Sequence, residues 1–298
     1  MKNKSIFATA TITKNSENQD SKGQISTDLF NAVLVADGLG TYKYARQASC
    51  SVVESLLKAL ENTKDISLLD FEKKFKTAKK ELVDLSENKK TEEDKDVEFL
   101  YGTTAITFVE TEKAINVGYV GNGAIWHIRG NFDEFPSVFP FPWNAVNFLN
   151  PHSFPNEYNK EALYRLISDD KDDYGECIPT EFEIKKDCQQ GDIFMICTDG
   201  IYSEDQRFFG TNSKGIWVKY EKTMQKFFEH LKLFFKKNSD YTNENLGMAL
   251  NHYLEDVKPD LDDDATLGVL ITENALNYQR AKKQVFVNEN NTDKQVQE

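Results

Sequence analysis

The distribution of apolar and polar positions predicts an ordered run of strands and helices. Residues 6–13 alternate between apolar and polar, the period of a half-buried strand. Residues 31–36 form a continuous apolar run, stopped by Asp37-Gly38-Leu39-Gly40, where glycine permits a tight turn. Helical spacing follows over residues 44–60, through Ala45, Ala48, Val52, Leu56 and Leu60. A second helix is predicted over 69–85, through Phe71, Phe75, Ala78, Leu82 and Leu85. The charged residues 87–98 read as a solvated loop. Strands at 103–110, 114–120 and 124–129 are separated by short breaks that suit antiparallel hairpins. Residues 136–155 lack a clear period and read as an irregular surface segment. Strand character returns at 180–184 and 192–197, helices at 219–235 and 244–254, and a last buried strand at 265–271. From residue 274 the chain turns polar, so a folded domain over 1–273 and a C-terminal tail over 274–298, partly disordered, are expected. Strands dominate the centre and no βα alternation repeats, which disfavours a doubly wound sheet. A β-sandwich with helices packed outside fits better.

Composition narrows the function. A length of 298 residues with 39% hydrophobic positions supports a sizeable core. The net charge of −13 argues against nucleic acid as the main partner. No apolar run is long enough for a membrane helix, and the N-terminus lacks a secretory apolar stretch. Cys50, Cys177, Cys188 and Cys197 form no C-x-x-C pair, which disfavours zinc and fits a reduced cytoplasmic setting. His127, His152, His230 and His252 lack metal or nucleophile spacing, so structural or exposed roles are expected. Cys197 lies within an apolar run and reads as core.

Four short segments carry the candidate chemistry: Glu17-Asn18-Gln19-Asp20, Val35-Ala36-Asp37-Gly38, Cys197-Thr198-Asp199-Gly200 and Asp262-Asp263-Asp264-Ala265. Two of them set an Asp-Gly after an apolar run, and the last sets an acidic run directly before one. A carboxylate at a buried strand end is costly unless it is paired or binds a cation. Such acids at several strand ends suggest one shared site for hard cations, Mg²⁺ or Mn²⁺.

These segments, with Tyr101-Gly102-Thr103-Thr104-Ala105 and Asn116-Val117-Gly118-Tyr119-Val120-Gly121-Asn122, occur in the order found in one family. The chain resembles the metal-dependent (PPM, type 2C) serine/threonine protein phosphatases, especially the compact bacterial kind, over residues 5–272. The resemblance implies an α+β fold, a four-layer αββα sandwich whose two central antiparallel sheets are flanked by helices. It implies hydrolysis of phosphoserine or phosphothreonine on a protein substrate by water held between two Mn²⁺ or Mg²⁺ ions, opposing a partner kinase. By motif position Asp37 bridges both ions and the Gly38 carbonyl binds the first. Asp20, Asp199 and Asp263 serve the second, with Asp264 as the neighbouring choice for the last.

Two positions depart from the family. Asn15 stands five residues before Asp20, where the family has a phosphate-gripping arginine; Lys14 offers a point charge instead. Asn122 stands where the family turn has an aspartate that serves a third metal position. Both favour the alternative reading, a degenerate phosphatase fold that binds metal or phosphoprotein with little turnover. The four intact aspartates favour activity.

Overall fold

The structure is a computed structural model that describes residues 4–14, 16–94, 97, 100–131, 145–155, 161–171, 175–202, 208–211, 217–220, 222–238 and 240–295. In chain order, β1 (Ile6–Ile12), β2 (Asp20–Ser26) and β3 (Asn31–Asp37) lead into α1 (Ala45–Glu61) and α2 (Phe71–Lys89). Strands β4 (Gly102–Thr103), β5 (Ala105–Glu110), β6 (Ala114–Val120) and β7 (Ala124–Arg129) follow. Then come the short strands β8 (Ala145–Asn147), β9 (Ser153–Pro155), β10 (Glu161–Leu163) and β11 (Ile167–Ser168). The chain continues through β12 (Thr180–Lys185), β13 (Asp192–Cys197), β14 (Phe208–Thr211) and β15 (Trp217–Tyr220). It closes with α3 (Lys222–Lys237), α4 (Asn243–Val257), β16 (Ala265–Ile271) and α5 (Glu273–Gln295).

Two five-stranded sheets dominate, one ordered β1-β16-β13-β7-β8 and the other β12-β6-β5-β3-β2. All their ladders are antiparallel. The apolar strands are buried on both faces, so successive side chains enter different layers. In β13, Phe194 and Ile196 enter the core between the sheets, while Ile193, Met195 and Cys197 face α3 and α4. In β3, Val33 and Val35 point between the sheets, and Ala32, Leu34 and Ala36 face α1 and α2. The sheets approach closely at Gly268, where an added Cβ would lie 2.2 Å from Val33 Cγ1. Phe108 and Phe194 meet edge-on across this layer at 5.6 Å. Truncating such a buried phenylalanine to alanine typically costs ~3–5 kcal/mol. The result is the αββα sandwich that the motif order implied.

The helices form for local reasons as well. Asp70 caps α2 by accepting the Lys73 amide, and Thr242 caps α4 by accepting the Asn245 amide. Among the described residues, no helix is long and apolar enough to cross a membrane.

Four expectations need correction. The polar stretch after residue 273 is helical through Gln295, and its first turn packs Ala275 and Leu276 into the core. Two apolar residues at its start anchor a helix whose remaining polarity hid it. The charged stretch after α2 is not wholly solvated. Asp94 is buried, accepting bonds from Lys43, Tyr44 and the Thr91 amide, so partners offset its desolvation. The helix expected from residue 219 starts at Lys222, because Trp217–Tyr220 pairs with Phe208–Thr211. The strand expected over 103–110 divides at Thr104, for reasons given below. Much of the irregular segment 136–155, namely 136–144, lies outside the described residues.

Candidate metal centre

The sandwich brings the aspartate motifs to one end of its two sheets. Asp20 opens β2 and Asp37 closes β3, and the two are opposite one another in the ladder. Asp199 lies two residues after the end of β13, and Asp263 two residues before β16, the neighbour of β13 in the other sheet.

The backbone of Asp37 is clasped by the Gly-Thr-Thr-Ala segment. Its N–H donates to Thr104 Oγ1 at 3.1 Å, while its carbonyl accepts from Thr103 Oγ1 at 2.7 Å and the Thr104 amide at 2.8 Å. This clasp is why the strand breaks at Thr104. The next residue must be glycine. A Cβ on Gly38 would lie 2.2 Å from the Ala45 carbonyl oxygen and 2.7 Å from that of Gln19. The first turn of α1 also holds the Asp20 segment, since Arg46 Nη1 donates to the Asn18 carbonyl and Ser49 Oγ to the Gln19 carbonyl, both at 2.6 Å.

Two threonines join the sheets beneath the acids. Thr198 Oγ1 donates to Asp20 Oδ2 at 2.8 Å and accepts the Thr266 amide at 3.0 Å. Their sequence neighbours, Asp199 and the Asp263-Asp264 pair, pointed to the chemistry; the threonines themselves gave no separate signal. Asn122, 6% exposed, donates its Nδ2 to Asp199 Oδ2 at 2.9 Å. A second carboxylate there would repel Asp199, so the amide turns a repulsive position into a bonded one.

Asp263 and Asp264 divide the work between them. Asp264 is buried, its Oδ1 accepting the Lys14 amide at 2.7 Å and its Oδ2 the Gln19 amide at 2.8 Å. Both oxygens thus hold the loop from β1 to β2. Asp263 is exposed, and its negative charge acts on Asp37. Lys14 contributes its backbone to this arrangement, while its ammonium donates to the Lys258 carbonyl at 3.2 Å. Asn15 lies outside the described residues.

The electrostatics reflect crowding of like charge. Burial raises the pKa of Asp20 to about 7, Asp199 adds repulsion, and bonds from Thr198 and Thr266 oppose the rise. Burial likewise raises Asp37 well above the usual carboxylate range, reinforced by the charges of Asp199, Asp20 and Asp263. Among the described residues, no group of three or more His, Cys, Asp or Glu side chains is placed so that it could hold a metal ion. The donor chemistry nevertheless fits hard divalent cations: the candidate donors are carboxylate oxygens and one backbone carbonyl, and added positive charge would offset the burial and repulsion that raise Asp20 and Asp37.

Comparison with known proteins bears on the family and the fold. The family model for protein phosphatase 2C matches residues 8–251, a span that includes Asp20, Asp37 and Asp199 and ends before Asp263. The fold is similar to the serine/threonine phosphatase Stp1 from Staphylococcus aureus, at 15% identity and a TM-score of 0.59 over 91% of this chain and 95% of that one. It is similar to the S. agalactiae serine/threonine phosphatase, at 15% identity and a TM-score of 0.60 over 90% of this chain and 100% of that one. It is also similar to the catalytic domain of the phosphatase PstP, solved in complex with two manganese ions, at 14% identity and a TM-score of 0.56 over 90% and 98% of the two chains. No curated protein matches the chain. With the motifs in order, the sandwich in place and the family model spanning most of its length, this chain belongs to the protein phosphatase 2C family.

Proposed function

We propose that the chain is a metal-dependent phosphatase that removes phosphate from serine or threonine of a protein substrate, acting in the cytoplasm against a partner kinase. The observation that carries this reading is that Asp20, Asp37, Asp199 and Asp263 lie at one end of the sandwich, where burial, and then the charges of the other three, raise the pKa of Asp37. In this reading Asp37, the Gly38 carbonyl, Asp20, Asp199 and Asp263 hold two Mn²⁺ or Mg²⁺ ions. When bound, the ions supply Lewis acidity toward water and toward the phosphoryl oxygens.

The chain's own residues do the remaining work. The clasp by Thr103 and Thr104 and the close fit of Gly38 on Ala45 fix the Asp37 backbone, so one side chain and one carbonyl are presented together. Thr198 keeps Asp20 turned toward Asp37 and discourages its protonation by donating to the charged form. Asp264 holds the loop that carries Asp20. In the net reaction water adds to phosphorus, the phosphorus–oxygen bond to the side chain breaks, and the leaving oxygen takes a proton.

A second reading, a phosphatase fold that binds metal or phosphoprotein with little turnover, draws on the neutral Asn122 and on the engagement of the Lys14 ammonium with Lys258. One experiment separates the two. Release of phosphate from a phosphothreonine peptide is measured with added Mn²⁺ and again with excess chelator. The phosphatase reading expects release that depends on the metal. Metal binding without release favours the second reading, and full activity in chelator rejects the metal mechanism.

A further inference from the structure

Asp199 is held from a direction that the acidic motifs do not supply. Its partner Asn122 sits in the turn between β6 and β7, flanked by Gly121 and Gly123, whose φ values are 103° and 110°. Such a turn has little stiffness of its own, yet it must keep the amide in place. His152 braces it from a distant part of the chain. The His152 backbone N–H donates to the Gly121 carbonyl at 3.0 Å, and the Gly121 N–H donates to His152 Nδ1 at 3.2 Å. An accepting Nδ1 in a neutral ring puts the proton on Nε2, which donates to Thr180 Oγ1 at 2.8 Å. The ring stacks on Tyr119 with centroids 4.9 Å apart and an interplanar angle of 14°. Burial, followed by the charge of Arg165, pushes the imidazole pKa down to about 4 and keeps Nδ1 an acceptor at neutral pH.

We propose that His152 is a positioning residue for the metal centre: by gripping Gly121 through its backbone and its Nδ1, it fixes the Asn122 amide against Asp199 and sets how that carboxylate faces the cations. The inference rests on Asp199 being a metal ligand, as in the proposed function. His152 touches neither Asp199 nor substrate, and acts only through the turn. A histidine that merely stabilised the fold would leave cation affinity unchanged.

The test is calorimetric titration of the whole chain with Mn²⁺, alongside amide exchange at Gly121. Asn122→Ala and His152→Phe are each expected to weaken Mn²⁺ binding about tenfold, the lower end for loss of an outer-shell partner. Phenylalanine keeps a ring to stack on Tyr119 while removing both ring nitrogens. His152→Asn, which returns an acceptor near the position of Nδ1, is expected to recover most of the affinity. The double variant, Asn122→Ala with His152→Phe, is expected to bind no more weakly than Asn122→Ala alone, because both act along one path. Exchange at Gly121 is expected to accelerate in His152→Phe. If that variant does not fold, Thr180→Val, which removes the acceptor at Nε2, is expected to shift affinity in the same direction. Wild-type Mn²⁺ affinity in the folded histidine or threonine variants overturns the proposal, as does full additivity in the double variant. A wild-type chain that binds no Mn²⁺ overturns the ligand assignment and this proposal with it.

Discussion

Asp20 and Asp37 stand opposite each other in an antiparallel ladder, the first residue of one strand against the last of the next. Burial makes both harder to ionise, and the charge of Asp20 adds to the difficulty at Asp37, whereas the hydrogen bond from Asp37 eases that of Asp20. In the metal-free chain the pair therefore stores a repulsion that protons or cations relieve.

The first consequence is a dependence of stability on pH. Both carboxylates bind protons more tightly folded than unfolded; for Asp20 the folded state holds the extra proton between the ordinary value of 3.8 and about 7, and Asp37 shifts in the same direction. Stability of the metal-free chain accordingly falls as pH rises through that window. Mn²⁺ is expected to cancel the decline, and its affinity to rise with pH as protons are displaced. Thermal melts of chelated and Mn²⁺-loaded protein across the window provide the check; a flat metal-free profile contradicts the coupling.

Asp37→Asn and Asp199→Asn are expected to remove turnover, each by more than the ~100-fold that loss of an outer-shell partner costs. Neither takes apolar contact from the core, and Asp37→Asn removes repulsion, so the metal-free variant should melt at or above the wild-type temperature. Phosphopeptide kinetics paired with melting curves test both statements. Near-normal turnover in both variants would mean the ligands are assigned wrongly.

The neighbours Asp263 and Asp264 are expected to fail in different ways. Asp264→Asn replaces one of two acceptors serving the Lys14 and Gln19 amides, so the cost is about 1–3 kcal/mol of stability. Asp263→Asn should leave stability almost unchanged and weaken Mn²⁺ binding. Denaturant midpoints and Mn²⁺ titration distinguish them, and a reversed pattern would exchange their roles.

Lys14→Ala should raise KM for a phosphopeptide more than it lowers kcat if the ammonium leaves Lys258 to meet the phosphate, since a contact made equally in ground and transition states affects binding uniformly. Asn15→Arg should lower KM in the same assay. Unchanged kinetics in both variants assign the Lys14 ammonium to Lys258 alone.

The buried strands were legible because strands covered on both faces read as continuous apolar runs, as in residues 31–36 and 192–197. Strand β2 was not. Its sequence, Asp-Ser-Lys-Gly-Gln-Ile-Ser, has almost no apolar residue, because it lies at the sheet edge and Gly23 packs directly under Leu57 of α1. Helix α5 escaped for a similar reason: its anchoring contacts come from Ala275 and Leu276 at its start, so periodicity over the whole helix is weak. At the site, the aspartates were visible as local motifs, whereas the threonine ties and the bond from Asn122 depend on pairs 68 and 77 residues apart. A linear pattern records which residues end a strand, but not which of them meet.

The division of labour between Asp263 and Asp264 also bears on how the gene tolerates error. The run is three aspartates long, Asp262-Asp263-Asp264, and the contacts and charge described above belong to the last two. Loss of any one codon in the run leaves Asp-Asp-Ala-Thr unaltered at the start of β16. Gain of one codon does the same. The slack is taken up between Leu261, buried at 2%, and the exposed start of the run. A repeat of one residue type thus keeps the junction between loop and strand intact when its length changes by one.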